Sequence, residues 1–187
     1  MARSRRKARE AALQTLYEIE VGKASPETSM ANTLEAAAME PELADYAVRL
    51  AAGVREHGVE LDEKISSLVV GYDYNRLAAI DRNLLRIAAY ELFFEPAVPP
   101  KVTINEAIEI AKKYSTAESG KFVNGVLGKL VQASPKANWD PSSVPVVEEV
   151  EEIVREKPME GEVETLEAES DEAKRLAKVG GWKLKSE

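Results

Sequence analysis

Apolar residues recur along this chain at three- and four-residue intervals, the period of helices with one buried face. Across residues 4–21, Ala8, Ala12, Leu16 and Ile19 mark such a face, and Gly22 is placed to close the helix. Ser25-Pro26, a cap followed by a first-turn proline, predicts a short helix through about Met39. Pro41 opens a third, with Leu43, Ala47, Leu50, Ala51 and Val54 inward and Gly58 at its end. Leu61, Ile65, Leu68 and Val69 predict a fourth, followed by a connector over Gly71–Asn75. Leu84, Leu85, Ala88, Ala89, Leu92 and Phe93 form the broadest apolar face, so this helix is expected at the centre. The run Glu95–Pro100 cannot continue it.

Two more helices follow almost back to back. Thr103 and Glu106 have the spacing of a capping box, ahead of Ile104, Ala107, Ile108 and Ala111. Ser115 and Glu118 repeat that spacing ahead of Phe122, Val123, Val126, Leu127 and Leu130. Asn105 and Asn124 sit among these apolar residues, where a buried amide needs partners. Gly125 lies mid-helix, at a cost of about 1 kcal/mol relative to alanine, which suggests close approach of another backbone. No alternating strand pattern or hairpin dipeptide occurs. The expectation is an all-α domain, a compact bundle of about seven helices, over residues 1–134. Beyond it, Ala133-Ser134-Pro135 through Pro145 is linker-like, and residues 135–187 read as a mostly disordered extension that adds few core residues. Leu166, Ala173, Leu176 and Ala177 have the spacing of a short terminal helix within it.

Charge is divided unevenly. Residues 1–134 carry 17 Lys and Arg against 19 Asp and Glu, a net of −2, whereas residues 148–172 carry a net of −10. The overall −8 therefore describes the extension more than the domain. Inside the domain, Arg3, Arg5, Arg6, Lys7 and Arg9 crowd one helix start, where cations oppose the macrodipole and repel one another. A phosphate backbone compensates such an arrangement, so these five are candidate RNA contacts. Arg9 has a second reading. It shares an angular sector with apolar positions one turn on, as an edge arginine paired with a core carboxylate does.

Other chemistries are thinly represented. The chain has no cysteine, which excludes disulfides, thiolate metal sites and cysteine nucleophiles. His57 is its single histidine, placed near a helix end. No catalytic constellation, metal cluster, phosphate loop or dinucleotide fingerprint is visible, so neither enzyme activity nor a cofactor is expected. The basic N-terminus is followed by no apolar run, and no stretch approaches the roughly 20 apolar residues of a membrane span. A soluble, cytoplasmic protein is expected.

The wording of several segments adds to this. INEAIEIAK at 104–112 followed by KFVNGVL at 121–127 resembles the bacterial transcription antitermination factor NusB family. Arg5-Arg6-Lys7-Ala8-Arg9-Glu10 with Gln14, Leu16 and Tyr17 is similar to that family's first helix, and residues 81–92 to its central helix. The resemblance covers roughly residues 3–131. The chain departs from it at Gly128, where the family commonly has Asp, and in the acidic extension. The resemblance implies a scaffolding role: pairing with the ribosomal protein NusE on single-stranded, boxA-type RNA of nascent rRNA transcripts, and through it with transcribing RNA polymerase. It also implies RNA contacts around the last helix start, at Glu118, Lys121 and Phe122. By pattern alone Phe122 is a core residue, and Glu118 replaces the family's usual Asp. Asp81, by pattern a helix cap, and Tyr17, by pattern a half-buried aromatic, match positions near the partner and RNA surface. Tyr90 and Glu91 match the family wording but read as structural.

Two other functions compete. One is a helical protein-interaction module that does not bind RNA. The other is a module like the N-terminal domain of an rRNA cytosine methyltransferase, which needs a cysteine nucleophile and a cofactor-binding α/β domain that this chain lacks. Sequence discrimination is expected to need the partner, because a nearly neutral domain with one basic arm has little means of reading bases alone. The acidic extension has two readings as well: a tethered competitor for the arm that filters non-specific RNA, or a solubilising tail.

Overall fold

The computed structural model describes residues 2–140 apart from Val70, Tyr72 and Ala117, with the backbone alone for residues 2–4. Seven α-helices follow one another: α1 (Ala2–Glu20), α2 (Pro26–Ala37), α3 (Pro41–Glu56), α4 (Gly58–Ser66), α5 (Ala79–Phe94), α6 (Pro100–Tyr114) and α7 (Ser119–Gln132). A single 3₁₀ turn, Tyr74–Arg76, lies before α5. No strand occurs among the described residues. The fold is all-α, as the periodicity predicts. The proposed tail helix and the acidic segment lie outside the described residues.

Local chemistry sets most boundaries. Ser25 Oγ accepts from the Thr28 N–H at 3.2 Å, and Pro26 fills the first helical position of α2. Pro41 and Pro100 open α3 and α6 in the same way. The expected Thr103–Glu106 box is therefore displaced. With Pro99 as cap, the Thr103 N–H already bonds the Pro99 carbonyl at 3.1 Å inside α6. The second box shifts by one residue. Thr116 and Ser119 bond each other's backbone N–H through their hydroxyls, both at 3.3 Å, while the Glu118 side chain makes no cap. Gly58 starts α4 rather than ending α3, the two helices sharing His57 as a joint.

Helix α5 packs against α1, α3, α4, α6 and α7, the central place expected for it. Leu84, Leu85, Ile87, Ala88, Ala89 and Leu92 are buried there, and so are Asp81, Asn83 and Glu91. Buried polar groups need partners, and these have them except for one oxygen of Asp81. Asn83 Nδ2 donates to Glu20 at 2.9 Å, tying the end of α1 to the start of α5. Arg86 grips Asp62 of α4 with two bonds of 2.6 Å, and the Tyr74 hydroxyl donates to the same carboxylate. Asn105 and Asn124 are exposed, so the predicted problem of buried amides does not arise.

The bundle also runs past the expected boundary at 134. Lys136 is 5% exposed, and its Nζ donates to the carbonyls of Glu91, Glu95 and Val98 at 2.7, 2.6 and 2.6 Å. It thereby ties the C-terminal end of α5 to the turn that follows, adding a charged donor to the Glu91 and Glu95 carbonyls, which also accept from the backbone N–H groups of Glu95 and Val98. Trp139 Nε1 reaches the Pro96 carbonyl at 3.3 Å beside it. Residues 135–139 thus belong to the folded bundle rather than to a linker.

Candidate nucleic-acid interface

Successive residues on α1 point about 100° apart, so the basic cluster cannot act as one surface. Arg9 turns inward. It is 3% exposed, and its Nε lies 2.7 Å from Glu91 Oε1. Glu91 also accepts from the Tyr46 hydroxyl and, at 2.9 Å, from Thr103 Oγ1. Burial opposes the Arg9 charge, but Glu91 and Tyr46 outweigh it and hold the guanidinium above its usual pKa. Burial and Glu91 push the Tyr46 hydroxyl well above the usual tyrosine range. Of the two sequence readings of Arg9, the core pair is the one present. Arg9 is enclosed by protein, and the expectation that it meets RNA is corrected accordingly.

The other arm residues lie further out. Arg6 forms a two-pronged pair with Glu106 of α6, Nε to Oε2 at 2.6 Å and Nη2 to Oε1 at 2.8 Å. Its side chain remains 37% exposed. The Arg5 guanidinium lies 6.0 Å from the centre of the Tyr46 ring. Lys7 is exposed. The side chain of Arg3 lies outside the described residues.

Beyond Arg6, a charged seam runs between α1 and α6. Lys113 Nζ donates to both oxygens of Glu10 at 3.1 Å, and Lys112 pairs with Glu109 at 2.7 Å. The rungs Arg6–Glu106 and Glu10–Lys113 are about 10 Å apart along α6 at 1.5 Å per residue. A sequence reading that looks only for basic clusters misses Lys112 and Lys113. Their detectable signal is a cation pair in the last turn of a helix, where it suits the macrodipole.

The seam leads to the start of α7. A Cβ built on Gly120 would meet Lys112 Cγ at 3.5 Å, so the lysine stem lies across this helix start. Ser119 Oγ donates to Asp81 Oδ2 at 2.9 Å, which fastens α7 to the first turn of α5. Asp81 is therefore not the cap of α5, a position held by Ala78. It is 8% exposed, and its Oδ1 has no hydrogen-bond partner among the described residues. Glu118 and Lys121 are exposed and pair with each other at 3.5 Å. Phe122 is half-buried against the core, as its periodicity suggests, with one part accessible. Tyr17 is half-buried on α1.

Seven of the predicted residues fall into two groups, with Tyr17 and the enclosed Arg9 apart from both. Arg5, Arg6 and Lys7 lie where α1 passes the start of α6. Asp81, Glu118, Lys121 and Phe122 lie where α5 and α7 begin. Among the described residues, no group of His, Cys, Asp or Glu is placed to hold a metal ion. No helix of the described residues is long and apolar enough to cross a membrane.

Comparison with known proteins matches this architecture. The family model described as "NusB family" matches residues 6–132. The transcription antitermination protein NusB of Desulforamulus reducens is 38% identical over 133 residues, covering 71% of this chain and 93% of that protein. Its counterpart in Desulfitobacterium hafniense is 44% identical over 135 residues, covering 71% and 91%. Among solved structures, T. maritima NusB aligns with a TM-score of 0.67 at 38% identity, over 71% of this chain and 94% of that one. A chain from a crystal structure of the antitermination factors NusB and NusE in complex with dsRNA aligns with a TM-score of 0.65 at 29% identity, covering 71% and 99%. An inward Arg9–Glu91 pair, a central α5 and a charged α1–α6–α7 surface are therefore features of a chain that belongs to the NusB family of transcription antitermination proteins.

Proposed function

We propose that this antitermination protein pairs with NusE on single-stranded, boxA-type RNA of nascent rRNA transcripts, and through that complex acts on transcribing RNA polymerase. The observation that carries the reading is the row of charged rungs from Arg6–Glu106 through Glu10–Lys113 to Lys112, whose stem lies against Gly120 beside Lys121 and Phe122 in the chain. Its cations track a phosphate backbone, and a partly accessible aromatic at its far end offers a face for an unpaired base. Arg3, Arg5, Arg6 and Lys7 act in this reading as phosphate contacts, and Lys112 and Lys113 join them. Glu118, Lys121 and Phe122 contact bases and sugar. Tyr17 and Asp81 belong to the partner side in this reading, Asp81 through its bond to Ser119, which fixes the start of α7. The similarity to the NusB chain of a NusB–NusE–dsRNA complex supports the partnership.

A second reading has one observation in its favour. Arg6, Arg9, Lys112, Lys113 and Lys121 each already hold a carboxylate, as in a helical interaction module that needs no RNA. Filter binding separates the two. Short single-stranded boxA-type RNA, an unrelated single strand and a duplex are titrated with and without NusE. The proposal expects binding that prefers the boxA-type strand, with discrimination rising when NusE is present. No binding to any RNA in either series leaves the interaction module. Equal discrimination with and without NusE removes the partner from sequence reading.

A further inference from the structure

We propose that Glu106 sets a threshold for RNA binding by standing in for a phosphate on Arg6, so that an RNA must displace an internal carboxylate to bind. This rests on the RNA-binding reading above and assigns to it the step that keeps weakly bound strands off. The geometry is that of anion recognition. A guanidinium presents parallel N–H donors that match a carboxylate and a phosphate alike, and both Glu106 oxygens are used, at 2.6 and 2.8 Å. The pair is also asymmetric. The Arg6 side chain is 37% exposed and the Glu106 side chain 12%, so the cation faces solvent while its anion sits in the α1–α6 seam. The Glu106 hydrogen bond raises the Arg6 pKa, with Glu109 and Glu10 adding to it. Arg6 is therefore a charged, solvent-reachable group whose best site is already filled from within.

The Glu10–Lys113 rung repeats this asymmetry, with an exposed cation on a more enclosed acid, and Lys112 and Glu109 add an exposed pair within α6. Glu10 holds Lys113 with two contacts of 3.1 Å, and Glu109 holds Lys112 at 2.7 Å. A strand that offers phosphates alone must replace these contacts one for one and gains little. It also leaves the Glu106 carboxylate in a mostly enclosed place without its cation, which is costly. A strand that adds base contacts near Phe122, or contacts through the partner protein, recovers that cost. The acids thus lower the affinity for any phosphate backbone while leaving base-dependent contacts intact. The affinity ratio of two strands is unchanged by this, but at a fixed concentration only the strand with the extra contacts stays bound.

The test is Glu106→Gln in the full chain, measured by titration with an unrelated single-stranded RNA and with a boxA-type strand. At low salt the unrelated strand should bind roughly fivefold tighter, the scale of one released exposed charge. The slope of log K against log salt should steepen by about 0.7, one additional phosphate contact on a single strand. The boxA-type strand should tighten by a similar factor, because it displaces the same carboxylate. Arg6→Ala introduced into Glu106→Gln should abolish the gain, because the freed cation is its source. Glu10→Gln, which opens the Lys113 rung, should give a gain in the same direction. Equal unrelated-RNA affinity and equal slope in wild type, Glu106→Gln and Glu10→Gln, with wild type still binding boxA-type RNA, overturns this proposal alone. Absence of RNA binding by every variant, with or without NusE, overturns the RNA reading and this proposal with it.

Discussion

Arg9 and Glu91 form an ion pair inside the bundle, with Nε 2.7 Å from Oε1 and side chains only 4% and 1% exposed. With Tyr46 and Thr103 on the same carboxylate, it joins α1, α3, α5 and α6 through polar bonds. Breaking one side of a buried pair strands the other charge, at a cost of about 3–5 kcal/mol. Arg9→Met should destabilise by that amount in urea denaturation. Arg9→Met with Glu91→Leu should recover much of the loss, because no charge is left unpaired. The salt slope of RNA binding should not change in a folded Arg9→Met protein. A loss below about 1 kcal/mol would mean that Glu91 tolerates burial alone.

Two glycines should respond in opposite directions to alanine. A Cβ on Gly53 would fall 2.1 Å from Tyr90 Cζ, so the ring, stacked on Phe94 at 5.1 Å between centroids, must move. Overpacking of this kind costs about 1–3 kcal/mol. Gly125 is exposed, and an added Cβ would meet nothing within 4 Å. The close backbone approach expected there is absent, so Gly125→Ala should stabilise by about 1 kcal/mol through helix propensity. Thermal melting of the two variants tests both signs together.

The difference between these glycines marks what periodicity conveys. Every long helix was legible, because apolar stripes at 3.6-residue spacing are imposed by burial itself. The central place of α5 was legible too, from its wide apolar face. Pairings made across 30 or more residues were not. Nothing near Lys136 in sequence signals that its ammonium ends against the carbonyls of α5. Nothing near Arg6 signals Glu106. The capping boxes failed for a local reason: proline at position 100 and the Thr116 hydroxyl offered better helix starts than the residues chosen by motif. At the candidate interface the sequence showed the cations but not the acids already bound to them.

The arm should still govern the salt dependence of RNA binding. Of the five basic residues once grouped there, Arg9 is enclosed by protein, while Arg6 and Lys7 face outward. Each phosphate contact on a single strand contributes a slope of about 0.7. Changing Arg6 and Lys7 to Ala should therefore flatten the slope by about one unit or more. An unchanged slope would place the RNA elsewhere on the bundle.

Acid should loosen the α4–α5 contact. Burial alone would raise the Asp62 pKa, but hydrogen bonds from Arg86 and Tyr74 override it and hold it below the usual 3.8. Glu20 is held low in the same sense by Arg82 and Asn83 against its own burial. A carboxylate whose folded pKa lies below its unfolded value stabilises the fold above the unfolded value. That contribution is lost as pH falls through the folded value. Asp62→Asn should therefore be less stable than wild type near neutrality, and the gap should close as pH drops below about 4. Urea midpoints measured from pH 6 to pH 3 follow this directly. A gap that stays constant to pH 3 would show that the charge on Asp62 contributes nothing.

Lys136 gives a pH dependence of the same sign at the alkaline end. Its ammonium closes the end of α5 against three carbonyls, and burial lowers its pKa to about 8 despite the pull of Glu91 and Glu95. Lys136→Met removes three charge-assisted bonds, although the Glu91 and Glu95 carbonyls keep their backbone donors, and should cost about 2 kcal/mol at neutral pH. Cutting the chain after Pro135 should cost a similar amount, whereas cutting after Asp140 retains the cap and should not. Between pH 8 and the usual lysine value of 10.5, the unfolded chain holds a proton that the folded chain has released. Stability rises with pH wherever the unfolded state binds more protons. The margin of wild type over Lys136→Met should therefore widen across that window in urea denaturation. If the margin narrows instead, the three carbonyls hold the charged form more firmly than burial opposes it, and the Lys136 pKa lies above 10.5.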